Sequence, residues 1–238
     1  MQQVTGHLRQ LRGPTHSVRS GGVRIWLALV GLALAAPAAA PAEADDSTQT
    51  ILVLGDSLAA GSGVGKESAF PRFLQDRIDE AQLPYRVINA GVSGDTTAGG
   101  LRRINWLLRE KVDVLLIELG GNDGLRGIQP ATTKANLTEM VRRARTKYPE
   151  VTVVIAGMQM PPNMGEKYTE EFRAVFPAVA KETGAVLIPF LLEGIGADPA
   201  FNQEDLIHPT REGHQIVAET VWQVLGPVLK GQRSKPKP

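Results

Sequence analysis

Apolar and polar residues alternate along the chain in two distinct patterns. Short apolar runs, rich in β-branched residues and bounded by glycine or polar residues, have the pattern of strands buried on both faces. Between them lie longer stretches whose apolar residues recur every three or four positions, as in amphipathic helices. The predicted strands lie in residues 50–54, 85–89, 112–119, 151–156 and 185–188, and the predicted helices in residues 70–81, 101–108, 131–147, 168–182 and 210–229.

Strands that alternate with helices form a parallel sheet, because each helix returns the chain across a face of the sheet before the next strand begins. We therefore predict an α/β fold, a three-layer α/β/α sandwich with a five-stranded parallel sheet, in one domain over residues 45–230. Ligands of such sheets bind beyond the carboxyl ends of the strands. The residues that follow each strand are therefore the first candidates for chemistry.

The first 44 residues differ from the rest of the chain. They hold four arginines and one acidic residue, and the arginines precede an apolar run at residues 25–36. This order, followed by the small-x-small sequence Ala42-Glu43-Ala44, is typical of a secretory signal peptide. An uncleaved anchor is the alternative, but the run is shorter than the roughly 20 residues of a spanning helix. We predict a signal peptide over residues 1–44, export to the periplasm or the medium, and no stable membrane insertion after cleavage.

The charge balance argues against a nucleic-acid partner. Of the 26 basic and 25 acidic residues, four and one lie in the leader, which leaves 22 and 24 in the remainder. Three of these basic residues lie in residues 231–238, which we predict to be a flexible basic tail. The domain itself is therefore acidic, whereas a nucleic-acid-binding surface is basic.

The first predicted strand ends in Gly55-Asp56-Ser57-Leu58. A serine in a strand-to-helix turn exposes its hydroxyl at the edge of the sheet. It also lies near a helix N-terminus, whose amides and dipole favour a developing anion. The same residues also occur in ordinary turns and helix caps, so this block alone does not establish a nucleophile.

Two further blocks offer donors for such an anion. Gly94 follows the second strand in the segment 92–96, where a glycine allows the backbone to approach a ligand and offer an amide hydrogen. Asn122 follows the third strand in Gly-Gly-Asn-Asp, and its uncharged amide can donate to an oxyanion. A glycine turn and a turn asparagine are the structural alternatives.

A candidate base lies in the block Asp205-Leu-Ile-His208-Pro209, which precedes the last predicted helix, although a lone Asp-x-x-His is more often structural. Proline is favourable at a first helical position and keeps His208 in the loop. A carboxylate three residues earlier can reach the imidazole, fix its tautomer and leave the other nitrogen free to take a serine proton. Residues 45–238 contain one other histidine, His214, which we interpret as a surface or packing residue.

Taken together, the four blocks Gly-Asp-Ser-Leu, Val-Ser-Gly-Asp-Thr, Gly-Gly-Asn-Asp and Asp-x-x-His-Pro resemble those of the GDSL/SGNH hydrolase family. The resemblance covers roughly residues 50–230, and residues 118–127 are similar to the periplasmic thioesterase/lysophospholipase/arylesterase branch. It implies a flavodoxin-like fold with strand order 2-1-3-4-5, no metal and no organic cofactor. It also implies lipid or small-molecule ester substrates: acyl-CoA, lysophospholipid and aryl or short-chain esters.

The resemblance also implies a role for each residue. Ser57 would attack the ester, His208 would act as its base, and Asp205 would orient the histidine. The amides of Ser57 and Gly94 and the side chain of Asn122 would form the oxyanion hole. The expected protein is an exported serine esterase that forms an acyl-serine intermediate.

Other functions fit the sequence less well. The glycine-rich residues 61–66 resemble a nucleotide-binding P-loop, but Ala60 and Glu67 replace residues that this motif requires, so we expect a flexible loop. Residues 45–238 contain two histidines and the chain has no cysteines, which does not favour a zinc hydrolase. A carbohydrate O-deacetylase and a non-catalytic exported binding protein remain as alternatives. The methionines of residues 158–165 suit a fatty or aromatic acyl group better than a sugar, unless they only pack in the core. Nothing in the sequence requires more than a monomer.

Overall fold

The computed structural model describes residues 48–233. Five strands alternate with seven helices in this part of the chain. The strands are β1 (Gln49–Gly55), β2 (Tyr85–Asn89), β3 (Val114–Glu118), β4 (Thr152–Ala156) and β5 (Val186–Ile188). The helices are α1 (Ser57–Ala60), α2 (Phe70–Glu80), α3 (Thr97–Leu107), α4 (Gly121–Leu125), α5 (Pro130–Lys147), α6 (Glu166–Thr183) and α7 (Arg211–Arg233).

All five strands pair in parallel, in the order β2-β1-β3-β4-β5. Strand β1 lies between β2 and β3, with Ile51 paired to Val87 on one side and to Val114 on the other. Strand β2 is thus added on one side of β1, and β3, β4 and β5 are then added in turn on the other side. This reversal opens a crevice at the carboxyl ends of β1 and β3. The predicted α/β/α fold and strand order are confirmed.

Helices cover the sheet in two groups. Helix α2 packs against α7, whereas α3 packs against α5 and α5 against α6. The central strands β1 and β3 are buried along almost their whole length, as the apolar residues 51–54 and 114–117 require. Each fully buried leucine or isoleucine contributes roughly 1.5–3 kcal/mol, so these two strands form a rigid base for the turns that follow them.

The last helix differs from the prediction at both ends. Helix α7 begins at Arg211, two residues after Pro209, which instead forms an isolated bridge with Asn202. It continues through residues 231–233, where we predicted the start of a flexible tail. The extension is held by Gln232, which accepts a hydrogen bond from the Tyr85 hydroxyl at 2.9 Å and donates to the Thr152 hydroxyl.

Within residues 48–233, no helix is both long and apolar enough to cross a bilayer. The predicted signal peptide over residues 1–44 lies outside the described residues, and so do residues 234–238 of the predicted tail.

Candidate active site

Ser57, His208 and Asp205 form one hydrogen-bonded chain at the carboxyl edge of the sheet. Ser57 is the first residue of α1, directly after β1. Its Oγ lies 2.9 Å from His208 Nε2, and His208 Nδ1 lies 2.6 Å from Asp205 Oδ2. The fold thus joins a serine and a histidine that are 151 residues apart in sequence.

The loop before α7 holds the Asp205 carboxylate and the His208 imidazole in hydrogen-bonding positions. Asp205 Oδ1 accepts hydrogen bonds from the amides of Ile207 and His208, both at 2.9 Å. Burial opposes ionisation of Asp205, but the hydrogen bonds from the His208 side chain and from these two amides outweigh it and lower the pKa of Asp205 to about 2. An ionised Asp205 keeps a proton on Nδ1, so Nε2 can accept the serine proton.

The turn that presents the serine, residues 55–59, is hydrogen-bonded to Asn122 of α4. Asp56 caps α1, and its Oδ1 accepts a hydrogen bond from the Leu58 amide at 3.0 Å. Its Oδ2 accepts from Asn122 Nδ2, also at 3.0 Å. The Asn122 amide therefore lies beside the serine turn. The amide of Ser57 has no intrahelical acceptor, because it belongs to the first helical residue.

Gly94 lies in the loop after β2, with φ of 76°, a left-handed conformation that favours glycine. Its carbonyl oxygen accepts a hydrogen bond from Arg126 Nη2 at 2.9 Å. The neighbouring Ser93 hydroxyl lies 2.6 Å from that of Ser62. These two contacts join the Gly94 loop to the segments that follow β1 and β3, which contain α1 with Ser57 and α4 with Asn122.

Two charged residues that the sequence reasoning did not select hold these loops in place. Asp123 is fully buried and accepts hydrogen bonds from the Thr97 amide at 2.8 Å, from the Thr97 hydroxyl and from the Thr133 hydroxyl at 3.3 Å. Arg103 pairs with Asp95 at 2.7 Å and donates to carbonyl oxygens of residues 90 and 55. Asp123 was visible in the Gly-Gly-Asn-Asp block, whereas nothing in the sequence separates Arg103 from the adjacent Arg102.

A third missed residue, Glu118, ends β3 beneath the serine turn. Its carboxyl group is fully buried, and Oε2 accepts hydrogen bonds from the amides of Asp56 at 3.1 Å and Ala59 at 3.2 Å. Burial raises the pKa of Glu118 well above its usual range, and the charge of Asp56 raises it further. Burial also raises the pKa of Asp56, and it outweighs the hydrogen bonds from Leu58 and Asn122, which lower that pKa.

The second histidine is a packing residue. The side chain of His214 is buried in α7, and its Nδ1 has no hydrogen-bond partner among residues 48–233. Burial, followed by the charge of His208, lowers the pKa of His214 to about 4. The imidazole is therefore neutral at neutral pH.

Two predicted loops also lie beside the site. The glycine-rich segment 61–66 contains three left-handed glycines, and Gln203 from the loop before α7 donates to the Ser62 carbonyl at 2.8 Å. In the methionine-rich segment, Met160 packs so closely on Gly124 of α4 that a Cβ there would lie 2.2 Å from its Sδ. Among residues 48–233, no cluster of three or more histidine, cysteine, aspartate or glutamate side chains is arranged to hold a metal ion.

A serine, a histidine and a carboxylate in series, with amide donors beside them at the edge of a doubly covered parallel sheet, are typical of the SGNH-type hydrolases, and this chain is a hydrolase of that class. It belongs to the GDSL-like lipase/acylhydrolase family, whose model matches residues 53–216. The predicted family and enzyme class are confirmed.

Known relatives agree with this assignment. The chain is 44% identical over 184 residues to Esterase TesA of Pseudomonas aeruginosa, covering 77% of this chain and 90% of that protein. It is 38% identical over 183 residues to an arylesterase of Vibrio mimicus, covering 76% and 90%. It is 36% identical over 184 residues to thioesterase 1/protease 1/lysophospholipase L1 of Escherichia coli strain K12, covering 77% and 86%.

Solved structures show the same fold. The crystal structure of TesA superimposes with a TM-score of 0.73 at 44% identity, covering 76% of this chain and 99% of that one. The psychrotrophic esterase EstA from Pseudoalteromonas sp., in a structure inhibited by monoethylphosphonate, gives a TM-score of 0.72 at 32% identity, with coverage of 76% and 99%.

Proposed function

We propose that the protein is an exported serine esterase that hydrolyses carboxylic ester and thioester bonds through an acyl-serine intermediate. The observation that supports this most directly is the 2.9 Å distance between His208 Nε2 and Ser57 Oγ, in series with the 2.6 Å contact of His208 Nδ1 with Asp205. Ser57 is the proposed nucleophile, His208 its general base, and Asp205 the residue that orients the base and stabilises the imidazolium.

In the first half of the reaction, Ser57 Oγ attacks the carbonyl carbon while His208 Nε2 takes the serine proton. The carbonyl oxygen becomes an oxyanion, which the amides of Ser57 and Gly94 and the side chain of Asn122 stabilise. His208 then gives its proton to the leaving alcohol or thiol. In the second half, His208 takes a proton from a water molecule that attacks the acyl-serine, and it returns this proton to Ser57 Oγ as the acyl–oxygen bond breaks and the acid leaves.

The substrate class follows from the relatives by analogy. Their names record an esterase, an arylesterase and a thioesterase/lysophospholipase. We propose aryl and short-chain esters, acyl-CoA and lysophospholipid as substrates for this chain. The packing of Met160 beside α4 supports an apolar acyl group, because flexible methionines adapt to aliphatic and aromatic surfaces.

The proposed export rests on the leader. Residues 1–44 would act as the signal peptide, and Asp45 would be the first residue of the mature chain. Expression of the full chain in a bacterial host, followed by mass spectrometry of the periplasmic and medium fractions, tests this. A protein found there with residues 1–44 still attached would contradict the cleavage.

Covalent labelling tests the proposed nucleophile. A fluorophosphonate probe should label the folded wild-type protein, since the related EstA is inhibited by a phosphonate. Labelling should be lost in Ser57→Ala and retained in the control Ser68→Ala, whose hydroxyl contacts Arg211 instead. Equal labelling of Ser57→Ala and wild type would refute the role of Ser57.

A hydrolysis panel tests the substrate class. Purified residues 45–238 should hydrolyse p-nitrophenyl esters, an acyl-CoA and a lysophospholipid, and Ser57→Ala should hydrolyse none of them. An acetylated sugar belongs in the same panel. A strong preference for the sugar would replace the proposed substrates with those of a carbohydrate O-deacetylase.

A further inference from the structure

The carboxyl group of Glu118 accepts hydrogen bonds from the backbone of the serine turn. Oε2 accepts the amide of Asp56, just before Ser57, at 3.1 Å and the amide of Ala59, two residues after it, at 3.2 Å. The approach is close enough that a Cβ on Gly55 would lie 2.4 Å from Oε2. One buried oxygen thus accepts hydrogen bonds from the backbone on both sides of Ser57.

These bonds leave the Ser57 amide free while its neighbours are occupied. The Leu58 amide is taken by Asp56 Oδ1, and the amides of Asp56 and Ala59 are taken by Glu118. Ser57, Leu58 and Ala59 all belong to the first turn of α1, whose amides lack intrahelical acceptors, and in the described part of the chain only the Ser57 amide of the three makes no hydrogen bond. The two carboxyl groups therefore occupy the neighbouring amides of the turn and leave that of Ser57 available to an oxyanion.

The two buried carboxyl groups differ in their partners. Both oxygens of Asp56 accept hydrogen bonds, from Leu58 and Asn122, as a carboxylate does. Glu118 Oε1 has no partner among residues 48–233, and no cationic side chain there pairs with Glu118. The nearby Arg103 donates to the Gly55 carbonyl and forms its ion pair with Asp95. An unpaired charge at this depth would be costly, whereas a neutral carboxyl group still offers Oε2 as an acceptor.

We propose that Glu118 is a positioning residue of the active site that works as a neutral acid: through Oε2 it holds the serine turn and directs the Ser57 amide toward the oxyanion. Asp56 completes the arrangement by accepting the hydrogen bond from the Asn122 side chain. This inference rests on the proposed function, since it assigns Glu118 a part in the oxyanion hole of the esterase. It extends that function from the groups that contact the substrate to the buried group that orients one of them.

Two variants of matched length separate this role from a charge effect and from simple packing. Glu118→Gln keeps an oxygen acceptor without a charge, whereas Glu118→Met fills the same space without a comparable acceptor. We expect Glu118→Gln to keep kcat within about threefold of wild type. We expect Glu118→Met to lower kcat by roughly 10- to 100-fold with little change in KM, which is less than the 10²–10³ expected for outright loss of an oxyanion donor.

The measurements are kcat and KM on a p-nitrophenyl ester across a pH series, with thermal unfolding to identify folded variants. The pH dependence of kcat/KM should be the same in Glu118→Gln and wild type, because a group that stays neutral adds no ionisation. A wild-type kcat in Glu118→Met would overturn the proposal, and so would equal losses in the two variants when both are folded. If Glu118→Met does not fold, a loss above about tenfold in Glu118→Gln overturns it, and a smaller change supports it.

Ser57→Ala, assayed beside them, keeps this test separate from that of the proposed function. An active Ser57→Ala variant would refute the esterase mechanism itself. An inactive Ser57→Ala variant together with a fully active Glu118→Met variant would refute only the role of Glu118.

Discussion

The buried imidazole of His214 should make the protein less stable in mild acid. Only 1% of this residue is exposed, and burial, with a smaller contribution from the charge of His208, lowers its pKa to about 4 from 6.5. The unfolded chain therefore binds a proton on His214 more readily than the folded protein does. Stability should fall as the pH decreases from the unfolded pKa toward the folded one, and rise again as the pH is raised.

The size of the effect follows from the two pKa values. A difference of about 2.5 pKa units corresponds to about 3 kcal/mol when the pH lies below both values. Between pH 7 and pH 5, the same linkage predicts that His214 lowers the free energy of unfolding by about 2 kcal/mol. Other groups of the protein also contribute to the pH dependence of its stability. The contribution of His214 must therefore be measured as a difference between proteins.

Urea unfolding at pH 7 and at pH 5 provides that difference. Wild type should lose about 2 kcal/mol more than His214→Gln over this interval, whatever the absolute stability of the variant at pH 7. His208→Gln is the control, because it removes the other histidine of the domain and should keep the pH sensitivity. The same pH dependence in wild type and His214→Gln would show that the buried imidazole is protonated without cost, contrary to its surroundings.

Three further predictions concern the site directly. Asn122→Ala should lower kcat by roughly 10²–10³ if its side chain donates to the oxyanion, whereas the control Asn105→Ala, at an exposed position of α3, should be neutral; steady-state kinetics that show equal rates would contradict this. Asp205→Asn should lower kcat by roughly 10⁴ at neutral pH, because an amide no longer fixes the proton on Nδ1, and near-normal turnover would exclude the orienting role. Leu206 has φ of 57°, a conformation that costs a non-glycine residue roughly 1–2 kcal/mol. Leu206→Gly should therefore raise the unfolding free energy by up to about 1 kcal/mol after the entropy cost of glycine, and a marked loss in urea unfolding would contradict this.

The strands and long helices were predictable because their signal is local. Strand β3 lies within the predicted run of residues 112–119. Its consecutive apolar residues 114–117 are buried on both faces only in a strand that lies between two layers of helices. The end of α7 was not predictable, because it depends on Gln232 contacting Tyr85 and Thr152, which are 147 and 80 residues away. The short helix α4 was also missed, because its glycines carry no apolar periodicity.

The candidate site divides in the same way. Ser57, His208 and Asp205 could be selected because each belongs to a short block with its own chemical meaning, placed after a strand. Glu118 could not be selected in this way. Its carboxyl group has a role only because the turn after β1 packs against it and donates two backbone hydrogen bonds to it. Its function depends on the pairing of β1 with β3, which brings Gly55 opposite Glu118.

The length and direction of α7 matter for anyone who wishes to attach this enzyme to a surface. The helix starts three residues after His208 and, at 23 residues, runs about 35 Å at the usual rise per residue. Its last turn contacts the amino ends of β2 and β4, opposite the edge that carries Ser57. An affinity tag or linker joined beyond residue 233 therefore leaves the catalytic edge facing outward. A truncation that removes Gln232 would instead remove the hydrogen bonds that connect the end of α7 to β2 and β4.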